Sequence, residues 1–429
     1  MLIESLESYL LLEDLYIYLL KDIKLKMMGK QAKKSFALLW LAMLVSSSGT
    51  FLLLLALSAK YYLEFKSGIL AGGVFASQWL SPLILFPLIS LLCAKYAPRS
   101  LLVSVEGLSA ITSLLIGFFF YKGWIIVFIL LFVRGFLETI MKSSRMIALK
   151  LYIPKDYIEK ASSMFNTSYF IGAGVGGLIG TLVINRFSLM QIALIDAITF
   201  VISASIYYLL PKVDIEKHPD SDEQKKNAWS AFFSIIKKHP NIGKYCFYMI
   251  LSTALFQGYH TVARTVIPLN MFSFVGKTGV MYYQIISSIG LILGSVFAYH
   301  FLAGKKKIVI APSVFIFATA ILLYSTVLFN NFIAALIVYF IFIFVFEISY
   351  IVYMNYILAN TPHEKGTLST VMSFLSSAML TLMVIVVLLT GKLMDILSLH
   401  ITATTLAVSG PMIILFYLLF KKRTKRGLG

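Results

Sequence analysis

Long apolar runs broken by charged or turn residues dominate the chain, and each approaches or exceeds the roughly 20 residues that a membrane-crossing helix needs. Six lie near 36–59, 68–91, 99–121, 124–146, 161–185 and 189–210, and six more near 245–267, 277–302, 308–328, 331–357, 366–391 and 397–420. The stretch between the two sets, 211–244, is polar. The pattern predicts an all-α membrane protein with twelve transmembrane helices in two six-helix halves. The expected divisions are an N-terminal cytoplasmic or interfacial segment (1–35), a first half (36–210), a linker (211–244), a second half (245–420) and a basic tail (421–429).

Two segments outside the spans have patterns of their own. In residues 1–26, Glu13 and Asp14 interrupt the apolar run and no basic start precedes it, which argues against a signal peptide or a span. Glu7, Asp14 and Lys21 recur every seven residues, as on one face of an interfacial helix; a translation start at Met27 or Met28 is the equal alternative. In the linker, KHPDSDEQKKN is charge-dense and solvated. The sequence AWSAFFSIIKKHP gathers Trp229, Phe232, Phe233, Ile235 and Ile236 near one side, an amphipathic helix expected on the inner membrane surface.

Composition sharpens this picture. The 429 residues are 59% hydrophobic and 13% charged, against roughly 25% charged in soluble domains. Of the 37 Lys and Arg, 29 fall on segments sharing the side of the N-terminus, 6 on the opposite side, and Arg134 and Arg264 inside spans. That asymmetry places both termini in the cytoplasm. The net charge of +18 is therefore an orientation signal with an attraction to anionic lipid headgroups, and no nucleic-acid partner is expected. Cys93 and Cys246 form no disulfide framework, and six scattered histidines form no metal site. No nucleophile, P-loop or zinc motif is present, so neither an enzyme nor a cofactor is expected.

Ionisable residues inside spans are expensive and are functional candidates by default. Arg134 and Glu138 are four apart in FILLFVRGFLETIM, close enough to pair, either as a structural ion pair or as a proton-coupling unit. On the seventh span Gln257, His260, Thr261, Arg264 and Thr265 make one polar stripe expected to face a cavity, with snorkelling to the interface as the alternative for Arg264. Glu347 stands alone in FIFVFEISYIVY and is the leading proton-site candidate. Asp196 and Glu106 suit helix-to-helix bonding, with Asp196 also a candidate for the substrate cavity, and His300 suits an interfacial place. Gly172, Gly174, Gly176, Gly177 and Gly180 crowd the fifth span, where small residues let helices approach for static packing or for a sliding contact.

These residues resemble the major facilitator superfamily, in particular its drug-efflux branch with macrolide-efflux and enterobactin-exporter-like proteins. The resemblance runs from about Ser35 to Phe420. Leu130-x-x-x-Arg134 is similar to the fourth-helix arginine motif. Gly172-Ala173-x-x-Gly176-Gly177 is similar to the fifth-helix antiporter motif, with Ala173 where proline is usual. TPHEKGTLSTVMSFLSSAMLTLMVIVVLLTGKLMD is similar to the loop and eleventh helix, with Thr367 where an arginine is usual. The loop after the second helix, SLLCAKYAPRS, keeps Lys95 and Arg99 of the cytoplasmic gate but lacks its acid and glycines, and AGKKKIV keeps Gly304 and the basic run.

The resemblance implies the major facilitator fold and a monomeric, multi-pass protein of the bacterial inner membrane. It implies proton-coupled export of an amphipathic small molecule such as a drug, siderophore or secondary metabolite. Glu138 or Glu347 would carry the proton, Arg134 would tune it, and the seventh-span stripe would orient the substrate. The alternatives are uptake of an anionic or polycarboxylate metabolite or siderophore, and a non-transporting membrane receptor or assembly platform.

Overall fold

The computed structural model describes residues 29–154, 158–212, 228–298, 312–362 and 367–426, and the regular structure among them is helical throughout. The helices are α1 (Lys30–Phe65), α2 (Gly68–Lys95), α3 (Pro98–Phe119), α4 (Trp124–Tyr152), α5 (Ile158–Val183), α6 (Leu189–Tyr208) and the short α7 (Ala228–Lys238). Then come α8 (Pro240–Ser252), a π turn (Thr253–Gln257), α9 (Gly258–Met271), α10 (Lys277–Phe297), α11 (Pro312–Ser325), α12 (Phe332–Asn360), α13 (Thr367–Ile396) and α14 (Leu399–Arg426). Nine helices among the described residues are long and apolar enough to cross a membrane, and Thr167–Val183 and Ser313–Ser325 are shorter apolar helices. The expected interfacial helix in 1–26, the charged linker stretch, His300 and the loop at Gly304 lie outside the described residues.

Tight turns set the lengths of the long helices. Lys66 ends α1 in the left-handed region (φ 50°), and Ser67 then caps α2, accepting from the Leu70 amide at 3.3 Å. Ser188 and Gln191 form a reciprocal capping box at the start of α6, and Asn331 caps α12 through the amides of Ile333 and Ala334. These polar turns lie at one end of the molecule, here the distal end; the start of α1 marks the proximal end.

Helices α1–α6 pack on one another as a first bundle and α8–α14 as a second. The α5 glycines divide between two neighbours at helical spacing. A Cβ on Gly172 or Gly176 would collide with Ser47 or the Ser48 carbonyl of α1, whereas one on Gly177 would lie 3.1 Å from Ile285 and one on Gly180 would strike Met281, both on α10 of the second bundle. The same helix is thus seated in its own bundle by one face and touches the other bundle by the next.

Helix α7 packs one of its aromatic side chains on the second bundle. Phe232 is buried and stacks on Phe374 of α13 with ring centroids 3.6 Å apart, while Phe233 stays exposed. An amphipathic stripe needs an apolar partner, and α13 of the second bundle supplies one to Phe232.

Candidate functional site

Four helices of the first bundle bring two acid–base pairs into its core. Arg134 on α4 reaches Asp196 on α6 at 2.6 Å. Ser113 on α3 accepts from the arginine at 2.7 Å and donates to the same carboxylate at 2.8 Å, and Thr50 on α1 accepts from the second Nη at 3.0 Å. Toward the proximal end Arg145 pairs with Glu106 at 3.0 Å and also donates to Tyr207 and Ser46, while Ser203 donates to Glu106 at 2.9 Å. All four charged groups are buried.

This arrangement corrects two expectations. The i, i+4 spacing predicts an Arg134–Glu138 pair, yet the spacing fixes only where the Cβ atoms sit, and Arg134 extends inward to Asp196. Glu138 pairs instead with Lys142, one turn further on, at 2.8 Å; their side chains are 18% and 48% exposed. Asp196 bonds from helix to helix, as its place in the sequence suggests. Arg145, counted by sequence among the cytoplasmic basic residues, lies inside the bundle.

The stripe begins at the half-buried Gln257 in the π turn and is buried from His260 onward, and its members bond to different neighbours. His260 Nδ1 and the Tyr339 hydroxyl of α12 are 2.8 Å apart, Thr265 bonds Ser58 of α1 at 2.9 Å, and Thr261 closes on the Gln257 carbonyl at 2.8 Å. Arg264 is buried rather than snorkelling, and donates to Gln284 of α10 at 2.7 Å. Just before the stripe, the π turn leaves the hydroxyls of Ser252 and Thr253 without partners; such bulges often occur at functional positions. Tyr169 of α5 lies within electrostatic reach of Lys142, Glu138 and Arg264 and meets Phe51 edge-on at 5.3 Å. Elements from both bundles therefore converge around Phe51, Glu138, Lys142, Tyr169 and Arg264.

Glu347 on α12 is buried, and its partner is Ser295 of α10, which donates at 2.8 Å. No cation within 4.0 Å accompanies it among the described residues. Lys95 and Arg99 stay in their own bundle: Arg99 donates to the Tyr208 carbonyl at 2.5 Å and lies over the Tyr208 ring.

Among the described residues, the hydrogen bonds that join the bundles lie toward the distal end. They are Ser58–Thr265, Tyr62–Asn270, Asn185–Thr278 and a cluster at Asp395 of α13. The Asp395 carboxylate accepts from the Ser67 hydroxyl at 2.9 Å, from the Gly68 amide and from the Ile69 amide at 3.3 Å, so an acid of one bundle caps the N-terminus of α2 in the other. Sequence reasoning missed this group, along with Arg145, Lys142 and Tyr169. Of these only Lys142, four residues after Glu138, had a visible signal.

The family model of the Major Facilitator Superfamily matches residues 39–382. No curated protein matches the sequence. Among solved structures, a POT family transporter in complex with 5-aminolevulinic acid has a TM-score of 0.72 at 13% identity, covering 90% of this chain and 96% of its own. The nucleoside transporter NupG has a TM-score of 0.67 at 14% identity, covering 90% and 99%. A bacterial homolog of the human lysosomal transporter Spinster, inward-facing and unoccupied, has 0.68 at 10%, covering 89% and 93%. At these identities the likeness is one of fold.

Proposed function

The chain belongs to the major facilitator superfamily, and from that premise we propose that it exports an amphipathic small molecule in exchange for protons by alternating access. Membership makes it a multi-pass membrane transporter rather than an enzyme. The finer reading is a monomer of twelve spans in the bacterial inner membrane, with both termini cytoplasmic and the distal end facing outward. The contacts joining the bundles at that end then correspond to a state closed on the outer side.

The observation that carries this reading is the division of buried charge. The first bundle neutralises its arginines internally, whereas the second holds Arg264 and Glu347 without an opposite charge within 4.0 Å among the described residues. An acid with no fixed counter-charge is what reversible proton binding requires. Glu347 is therefore the coupling residue of this reading, and Glu138 with Lys142 lines the path.

Proteoliposomes carrying a pH dye under an imposed gradient, screened with macrolides, dyes and siderophores, test it. The wild type should move protons on addition of one compound. Glu347→Gln should lose that movement but keep substrate exchange, and Glu138→Gln should retain coupling. Coupled, pH-dependent transport left intact in both variants removes the proposal. Uptake of an anionic metabolite is the second reading, favoured by the buried Arg264; accumulation by inside-out but never by right-side-out vesicles excludes it.

The Asp395 contact supplies a gentler test of the cycle. Losing a capping side chain costs about 1 kcal/mol, so Asp395→Ala should enlarge the distally open population by about fivefold. Spin labels at Tyr121 and Phe274, exposed near the distal ends of the two bundles, would report it as a longer-distance fraction; an unchanged distribution would remove the contact from the gate.

A further inference from the structure

Arg264 differs from the other two fully internal arginines. Arg134 and Arg145 each hold a carboxylate, at 2.6 and 3.0 Å. Arg264 is 4% exposed, and its single hydrogen-bond acceptor is the neutral Gln284 amide at 2.7 Å, received through Nη1. Its Nε is buried with no hydrogen-bond partner among the described residues. A buried cation without an anion is costly, and a buried donor without an acceptor adds to that cost.

The surroundings say what shape of molecule would relieve it. Gln284 occupies one side of the guanidinium and is itself steadied by Ser288 at 3.1 Å. The side carrying Nε has the parallel donors that match a carboxylate bidentately. The Phe75 ring lies 4.2 Å from Cζ and Phe51 lies 6.0 Å away, with Tyr169 against Phe51. Those rings belong to α1, α2 and α5 of the first bundle, whereas the arginine belongs to the second. A molecule held by both would touch the two bodies that alternating access moves apart.

We infer that the transported molecule is an amphipathic carboxylic acid, its carboxylate held on the Nε edge of Arg264 and its apolar or aromatic body packed on Phe51, Phe75 and Tyr169. This inference rests on the export reading and narrows it. It also assigns Gln284 a positioning role, since that amide fixes the plane of the guanidinium.

The test compares matched pairs: aromatic and steroidal carboxylic acids, including dansylglycine and fusidic acid, against their primary amides, in thermal-shift and fluorescence titrations of the full-length protein in nanodiscs. The acids should stabilise the wild type and the amides should not. Arg264→Gln should weaken acid binding by roughly tenfold to a hundredfold, the loss of one charged hydrogen-bonding partner. Arg264→Lys, which keeps the charge but not the fork, should recover part of it. The acid-against-amide contrast is read on the wild type and so stands whether or not the variants fold. Stabilisation by no acid of the panel, equal stabilisation by acid and amide, or full binding by a folded Arg264→Gln overturns the inference. Export of neutral or cationic compounds alone would overturn it while leaving the transport reading standing. Acids that bind yet cross proteoliposome membranes in neither direction would overturn the transport reading instead.

Discussion

Asp196→Asn should destabilise the protein by about 3–5 kcal/mol, the cost of leaving a buried charge without its partner. The pair is fully internal: Arg134 is 1% exposed and Asp196 0%, so water cannot replace the lost carboxylate. Ser113 and Thr50 would still accept from the guanidinium, but neither supplies a negative charge. Arg134→Ala should be comparably damaging, because it strands the carboxylate and empties the space against the Phe200 ring, 4.9 Å from Cζ. The double replacement Arg134→Met with Asp196→Leu should recover much of the loss, since exchanging a buried pair for apolar residues of similar volume is often close to neutral. Glu138→Gln offers the contrast: its partner Lys142 is 48% exposed in the side chain, and a solvent-reached pair is worth about 1 kcal/mol or less. Thermal unfolding of the detergent-solubilised protein, followed by monodispersity on size exclusion, measures all four. A melting curve for Asp196→Asn that overlays the wild type would show the pair to be energetically idle.

The helices themselves were legible because each is governed by its own sequence: the apolar runs and the polar breaks between them are local facts. The α5 glycines were legible for the same reason, since spacing alone puts Gly172 and Gly176 on one face and Gly177 and Gly180 near another. What one helix cannot state is which neighbour its polar face meets. The Arg134–Glu138 spacing was visible and misleading, because the deciding partner, Asp196, is 62 residues away and comes into range only when α4 and α6 pack in one bundle. Arg145 was misplaced by the rule that reads basic residues near span ends as loop charge; Glu106, on another helix, is what draws it inward. Asp395 carries no local signal of its role, which depends on a helix 327 residues earlier in the chain. The polar stripe was half legible: His260, Thr261, Arg264 and Thr265 are buried together, but three different helices supply the partners of His260, Arg264 and Thr265.

Gly391→Leu should prevent the two bundles from closing at the distal end, and transport with it. At this point α2 and α13 approach backbone to backbone: a Cβ on Gly391 would sit 2.6 Å from the Gly68 carbonyl oxygen and 2.6 Å from the Ile69 Cα. Neither is the movable end of a side chain, so a leucine can be housed only by separating the helices. The separation would also withdraw Asp395, four residues along α13, from the amides it caps, and the Gly72 contact with Val262 and Val387 lies one turn further along α2. The strain therefore falls on the whole closed contact, and the distally open state, which lacks it, is relieved. A ligand-free shift from about 1:99 to 99:1 needs about 5.5 kcal/mol, within reach of a leucine forced into two backbones together with the lost cap. Labels at Tyr121 and Phe274 should then report one long distance in place of a short one, and proteoliposomes should bind substrate from the distal side without turning over. Gly391→Ala should give a mixture, since one methyl group demands a smaller separation. Retention of both the short distance and full transport by Gly391→Leu would mean that this glycine contact is not part of the moving surface, and the closed end would have to be sought along α5 and α10, where Gly177 and Gly180 meet Ile285 and Met281.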